Sequence, residues 1–499
     1  MSAFFFIPNC IIAQKGVLEL LPGSELLGYD AKKGAHRLVG TVNFIYQGNT
    51  MYCDSAHYFD KINAVKAFGN VHVTKNDINL YCDSLYYNGK NKTAKLWGHV
   101  RVRDLEYKLS TDSLNYDANN GQCIYRNKGR IESITSNEVL TSQVGYFYPS
   151  SKNFFFKGNV RYKNEELSMS TDTLQFTYSK QIAYFYGPTK IIRNKTQMVC
   201  ERGWYNVQTE EGSLMKNAEI FEKSKILKGD TLMYQPKIGK STAKGNIFYS
   251  DTLEKTKFYG DYAIISEKER YSMITGHTLA VKVQKEDTIF IHADTLFNQK
   301  DSMDHPLFSS AYRNVKIYNR SIQSISDSLI FTDSNQVMQL FNKPIAWSKN
   351  VELKGDTMKI FINDSIIKEI HINENATAIM ELDSGTFYNQ VSGNEIKAFF
   401  KDQDLVRTEV FGNAQTIFYP EDTENTDSTV VLKRLGMNRL YSSQLKIILD
   451  SGEVRHVNYY DKPDGIFYPM EKIDKKEQFI SNFSWNYLLR PKDGWSIVD

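Results

Sequence analysis

The sequence predicts an all-β fold, one extended array of about 26 strands built on a repeat of about 29 residues. Three observations carry this. Acidic residues recur at a fixed interval of 29 residues: Asp54, Asp83 and Asp112, then Asp172, Glu201 and Asp230, then Asp327 and Asp356. The phrases around them alternate apolar and polar residues with the period of two that a half-buried strand requires. The 31 Tyr and 29 Phe against 11 Pro, with a mean hydropathy of −0.45, describe strands with one wet face and exclude global disorder and collagen-like structure. A length of 499 residues alone would suggest about three domains, but a fixed period overrides that prior and makes one array.

In chain order, the first apolar stretch runs from Ala3 to Ile7 and from Ile11 to Ala13, interrupted by Pro8 and Asn9, and is too short to span a bilayer. It fits the apolar part of a truncated export signal over residues 1–14, with a buried N-terminal strand as the alternative. Asn9 before Cys10 is a poor match for the small residue that lipid-anchored processing prefers. No second long apolar run follows, so an exported product is expected to be soluble or peripheral to a membrane.

The array itself rests on two phrases. The first reads acidic, Ser or Thr, apolar, any, apolar: Asp83-Ser84-Leu85-Tyr86-Tyr87, Asp112-Ser113-Leu114-Asn115-Tyr116, Asp172-Thr173-Leu174-Gln175-Phe176 and Asp230-Thr231-Leu232-Met233-Tyr234, continuing at Asp327 and Asp356. The second is a Gly-Asn type turn followed by alternating apolar residues, as in Gly69-Asn70-Val71-His72-Val73, Gly158-Asn159-Val160 and Gly245-Asn246-Ile247, with degenerate copies at Lys216-Asn217, Arg313-Asn314 and Lys343-Pro344. Two strands per repeat leave about 10 to 12 residues each, long enough that the strands must bend across a folded sheet. The expected divisions are a first array over residues 15–250, a more divergent continuation over 251–450, and a cap or docking tail over 451–499. The acidic run Glu421 to Thr429 lacks apolar periodicity and reads as a solvated loop.

The recurring Asp reads as a turn residue that bonds its own backbone, and the Gly-Asn pairs as turns needing positive φ. Neither precedes the helix that a phosphate-cradling glycine loop requires. No histidine pair has metal-ligand spacing, no Gly-x-Ser-x-Gly elbow occurs, and no two cysteines lie close enough for a zinc pattern, so no cofactor or metal is expected. The net charge of +3 from 61 basic and 58 acidic residues, without a single-sign basic stripe, argues against a nucleic-acid partner.

The segments Arg37-Leu38-Val39-Gly40-Thr41-Val42-Asn43-Phe44, Met51-Tyr52-Cys53-Asp54-Ser55-Ala56 and Ala67-Phe68-Gly69-Asn70-Val71-His72-Val73 resemble the OstA-like proteins related to LptA and to the N-terminal domain of LptD. The resemblance is good over residues 35–250 and weak over 290–420. It implies an incomplete β-jelly roll (β-taco) of antiparallel strands and a non-enzymatic, periplasmic role in lipopolysaccharide transport, peripheral to the outer or inner membrane. The implied partners are lipopolysaccharide or lipid A, other Lpt-type components, and further copies stacked end to end. The chain departs from the short family members in having about twice as many repeats, and from LptD in leaving no room for a large C-terminal barrel.

With that resemblance, the apolar positions Leu85, Tyr87, Leu114, Tyr116, Leu174, Phe176, Leu232 and Tyr234 become candidate lipid-binding residues. In a closed solenoid the same stripe is simply core, and the alternative function is a structural or adhesive β-solenoid that binds protein or polysaccharide. Arg101, Arg103, Arg161 and Arg193 are candidates for headgroup phosphates, with solvated outward side chains as the plainer reading. Antiparallel pairing places Cys53 and Cys82 two strands apart, about 10 Å and beyond an unstrained disulfide, whereas a parallel β-helix would let them bridge.

Overall fold

The computed structural model describes residues 19–498 except 47, 149–152, 285–286, 304, 364–365, 402–403, 427–428 and 451–452; the export-signal and Cys10 readings lie outside the described residues. The chain divides into two compact units, Met1–Ser241 and Thr242–Asp499. In both, every strand pairing is antiparallel and the helices described are single 3-10 turns. Among the described residues there are 36 strands, of which six lie outside the main run (two at each end and a separate hairpin) and eight are halves of four strands broken at mid-length, which leaves 26 full-width strands.

In the first unit the strands are 11 or 12 residues long, as in Asn49–Phe59, Ala64–Lys75, Ile78–Asn88, Thr93–Arg103 and Tyr107–Asp117. Each meets the next through a reversal of a few residues, and each bends once in the middle. The bends lie where the two sequence phrases meet. The register slips between Phe68 and Val71 opposite Ser84 and Cys82, and again between Trp97 and Val100, Lys157 and Val160, and Tyr186 and Thr189. The Gly-Asn pairs are therefore corners inside strands and not the turns between them. Their positive φ is real, +74° at Gly69 and +44° at Asn70, but it bends one strand and does not reverse the chain.

The recurring acid fits the same corner from the neighbouring strand, so its main partner is across the sheet and not its own backbone. Asn70 Nδ2 donates to Asp54 Oδ2 at 2.8 Å, His99 Nδ1 lies 2.8 Å from Asp83 Oδ2, and Asn217 Nδ2 donates to Glu201 Oε1 at 2.7 Å. A Cβ on Gly69 would stand 2.5 Å from the Asp54 carboxylate, so glycine is demanded there by both dihedral and space. Because the slip puts two residues on the outer curve, Cys82 and Leu85, three apart, both point inward and are 5% exposed.

The second unit keeps the plan with longer strands. Tyr271–Val283, Thr288–Lys300 and Pro306–Tyr318 have 13 residues each, and Ile366–Leu382 has 17, which accounts for the wider spacing of Asp261 and Asp294. Its corners include Gly276-His277 and the glycine-free Arg313-Asn314, Asn342-Lys343 and Glu374-Asn375, all with positive φ. The expected copy at Lys343-Pro344 thus begins one residue earlier. One apolar cluster, including Ala311, Val315, Ile317, Leu329, Leu340, Met358, Ile372, Ile396 and Val410, continues round the corner from one limb of the bent strands to the other. The acidic run expected as a loop instead forms a two-stranded hairpin, Glu421–Thr426 with Thr429–Arg434, in which Arg434 pairs with Glu421 across the hairpin and ties it back to Asp383, at 2.8 Å each.

In the segment expected as a cap or docking tail, Glu453–Tyr460 and Asp464–Pro469 pair as strands with Gly436–Asp450. Residues 474–498 run as an irregular strap across the outer face of this unit, over side chains that point away from the core. Gln323, Trp347, Glu352, Ile379, Gln390 and Ile417 form one row of successive cross-strand partners, and each is no more than 3% exposed. Ile480 sits over one end of this row, with its N–H donating to Gln390 Oε1 at 3.0 Å. Arg490 reaches Gln323 Oε1 at 2.7 Å, and Ile497 packs on Leu279 and Val281. At the centre the buried Glu352 carboxylate accepts from Trp347 Nε1 at 3.0 Å and from the Asn486 N–H and Nδ2 at 2.8 Å each. Burial lowers the pKa of Lys354 beside it, opposed by the Glu352 charge.

Candidate functional site

All eight stripe residues lie on the inward face of the first unit, in two adjacent columns of cross-strand neighbours. One column runs Leu38, Ala56, Ala67, Leu85, Leu96, Leu114 and resumes as Phe156, Leu174, Phe185, Gly203, Leu214, Leu232. The second is unbroken: Tyr58, Val65, Tyr87, Ala94, Tyr116, Cys123, Phe147, Phe154, Phe176, Ala183, Tyr205, Gly212, Tyr234. Along most of it an aromatic on one strand faces Val, Ala, Cys or Gly on the next. The alternation gives each ring room to lie across its small neighbour, and leaves the column able to repack.

The two columns differ in exposure. Leu85, Leu114, Leu174 and Leu232 are buried, as is Phe176, while Tyr87 and Tyr116 are half-buried and Tyr234 is 46% exposed. The leucine column therefore lies deep and the aromatic column nearer the open margin of the strands. Burying each leucine contributes roughly 1.5–3 kcal/mol to folding whether or not a ligand is present.

Sequence reasoning missed a third column, on the other side of the corners: Phe44, Met51, Val73, Leu80, Val102, Leu109, Ile131, Leu140, Tyr162, Met169, Ile191, Met198, Ile220, Leu227. It holds no polar residue except the Tyr162 hydroxyl. The signal was the apolar residue three places after each Asn of a Gly-Asn pair, as Val73 follows Asn70 and Tyr162 follows Asn159, which looks like ordinary strand alternation until the corner places it opposite the leucines' limb. At the corner itself the residues are small or hydroxylic. Cys53, Cys82 and Cys200 are free thiols there, and burial pushes their pKa up to about 11, 12 and 11, so they are inert apolar filler and not nucleophiles. Strand Ala64–Lys75 separates Cys53 from Cys82.

Among the described residues no group of three His, Cys, Asp or Glu side chains is placed to hold a metal ion. No described helix is long and apolar enough to cross a membrane. Of the four arginines named as headgroup candidates, Arg101 and Arg161 line an open cavity of about 960 Å³ on the outer side of the corners, opposite the apolar columns. Arg193 is instead paired with Glu166 at 3.4 Å, and Arg103 lies beyond the cavity, beside Lys108 on the next strand.

The family model for OstA-like proteins matches residues 24–172 and 158–230, the stretch that carries the three columns apart from Leu232 and Tyr234. Among curated proteins nothing matches the chain. Among solved structures, LptH of Pseudomonas aeruginosa, the LptA-homologous periplasmic component of the lipopolysaccharide transport device, aligns with 30% of this chain and 82% of its own length, at 9% identity and a TM-score of 0.15. Over residues 24–230 the chain is similar to the OstA-like proteins.

Proposed function

We propose that this protein is a periplasmic carrier or bridge for lipopolysaccharide, holding acyl chains against the inward face of its first unit. The observation that carries the reading is the continuity of that face. The aromatic column from Tyr58 to Tyr234 and the aliphatic column from Phe44 to Leu227 follow the array without interruption, and a long apolar track of this kind suits a ligand with long apolar chains. Affinity arises from apolar burial at about 25 cal/mol per Å², offset by ordering of the chains. Direction must come from partners, for which Lpt-type components are the natural class. Strands Glu453–Tyr460 and Asp464–Pro469, with exposed Val454, Val457, Ile466 and Phe467, offer an edge for end-to-end association.

The test is native mass spectrometry of the chain purified from the periplasm of a lipopolysaccharide-making host, with bound lipid extracted and identified. Copurified lipid A species that disappear in Tyr87→Asp and Tyr116→Asp variants with unchanged circular dichroism support the carrier. A second reading, a structural β-solenoid, is favoured by the depth of the leucine column, which is already buried without a ligand. It wins if the wild-type chain is empty and also fails to bind added lipopolysaccharide.

A further inference from the structure

The outer cavity of the first unit spans five consecutive strands where they turn their corners. One row of cross-strand partners crosses its floor: Arg101, Ser110, Arg130, Thr141, Arg161. Cations thus alternate with hydroxyls, and neighbouring guanidinium-bearing residues stand two strands, about 10 Å, apart. Lys128 adds a further cation at the margin, and the amides of Asn127, Gln143 and Asn159 project among them.

Two features make this stretch unlike the rest of the first unit. The corner acid is absent at one copy of this unit: where Asp83 faces Gly98 and Asp172 faces Gly187, Gln143 faces Gly158. The ladder of corner carboxylates is interrupted inside the cavity, and Asp112 is the only acidic residue in its lining. The strands here are also parted at the corner, Gln122–Tyr125 from Gly129–Ser133 and Val139–Ser142 from Val144–Tyr148, which opens the surface between them. Arg130 is held by Glu132, Nε to Oε1 at 2.9 Å, and Arg101 lies over the Tyr81 ring at 5.7 Å, so both heads are braced before any ligand arrives.

From this we propose that the cavity binds a saccharide carrying two or more phosphates. Guanidinium forks pair bidentately with phosphate oxygens, and the hydroxyls and amides between them match sugar hydroxyls. The lining has no Phe, Tyr or Trp on which a nucleic-acid base would stack, its one imidazole, His99, is held by Asp83 at 2.8 Å, and its one aliphatic side chain, Val100, is fully buried. The arginines point outward and the leucine columns inward, so the sheet stands between the two and a lipid held inside does not fill this cavity. The site is therefore independent of the carrier reading.

The experiment is isothermal titration of the full chain with an acyl-free glucosamine disaccharide bisphosphate, alongside the same disaccharide without phosphates, and with phosphatidylcholine vesicles with and without lipid A. Binding of the bisphosphate, weakened at least tenfold in Arg101→Gln/Arg161→Gln and severalfold in Gln143→Glu, supports the site. Gln143→Glu restores the carboxylate that other corners carry, and thermal unfolding checks that each variant folds. Binding only to lipid A vesicles, with the same losses, also supports it and assigns the phosphates to a membrane glycolipid; binding in free solution assigns them to a soluble glycan. The acyl-free probe has no chain for the inward columns to hold, so its loss in the arginine variants does not depend on the carrier reading. Equal affinity for the unphosphorylated sugar, affinity unaffected by the arginine changes, or no binding of either probe overturns the proposal.

Discussion

The outer faces of the two units begin from the same strand geometry and end differently. Four residues past each corner Asn or its counterpart, the first unit presents Arg103, Lys108, Glu132, Val139, Lys163 and Ser168 as successive partners. The corresponding row in the second unit is Val281, Phe290, Tyr318, Gln323, Trp347, Glu352 and Ile379. The inner faces are apolar in both. A sheet whose outward register is charged stays wet, whereas one whose outward register is apolar must find a cover, and here the chain's own last residues supply it. Alternation alone makes a strand; the identity of the outward residue decides whether the face meets water or another segment.

The largest effect is expected from removing that cover. A chain ending at Ile473 loses the burial of Ile480 and Ile497, together roughly 3–6 kcal/mol, and uncovers Trp347, Ile379 and Ile417 besides. Scanning calorimetry is expected to show the transition of the second unit falling while that of the first stays in place. An equal fall of both, or no fall, would break the contrast between a covered and an uncovered face.

Next in size is the corner. Gly98 has φ +78° and the Asp83 carboxylate packs directly on its Cα, so Gly98→Ala is expected to cost the first unit about 2–3 kcal/mol. In the second unit Lys343 holds a comparable φ of +58° with a side chain in place. Lys343→Gly is expected to be neutral or stabilising by up to about 1 kcal/mol, since relief of left-handed strain is opposed by greater unfolded-state entropy. Urea melts of the two variants check the pair of signs, and a destabilising Lys343→Gly would mean that this corner is held by its lysine.

These corners also show what was legible in the sequence. The interval of 29 residues, the bent strands of 10 to 12 residues and the leucine and aromatic columns could be read because each leaves a mark every repeat. The corner could not be located, because Gly-Asn with positive φ is also the signature of a hairpin turn, and only the pairing of Phe68 with Ser84 and of Val71 with Cys82 shows that the strand continues through it. The copy at Gln143 was invisible because it lacks the acid, although it stands 29 residues before Asp172. The strap had no period at all. Its contacts join residues as far apart as Arg490 and Gln323, 167 positions, which local pattern does not report.

A smaller effect distinguishes a specific strap from a merely greasy one. Both Glu352 oxygens accept hydrogen bonds, three in all, and the side chain is fully buried. Glu352→Gln keeps the shape but turns an NH2 towards a donor and removes the charge beside Lys354, 3.8 Å away. A loss of about 1–3 kcal/mol confined to the second unit is expected, with proteolysis after Lys472 or Lys475 accelerated accordingly. If protection of the strap is unchanged, apolar cover alone holds it.

The smallest effect concerns pH at one corner. Where the first unit sets Asn70 against Asp54, the second sets His277 against Asp261, Nδ1 to Oδ2 at 2.6 Å. The hydrogen bond to Asp261, with its charge, raises the His277 pKa above the ordinary histidine value of 6.5. The protonated form is therefore favoured in the folded chain. Its contribution is complete below the unfolded value and is lost as pH rises through the raised folded one. Because both side chains are well exposed, water and salt screen the pair, so the effect belongs in a titration curve and not in a melting temperature. In an NMR titration the His277 ring should turn over above the ordinary range, and Asp261→Asn should bring it back. The Asn70 corner should show no such transition. A His277 that titrates identically with and without the Asp261 carboxylate would mean that the acid of this corner does not hold its partner strand, and that the ladder of corner contacts in the second unit is looser than that in the first.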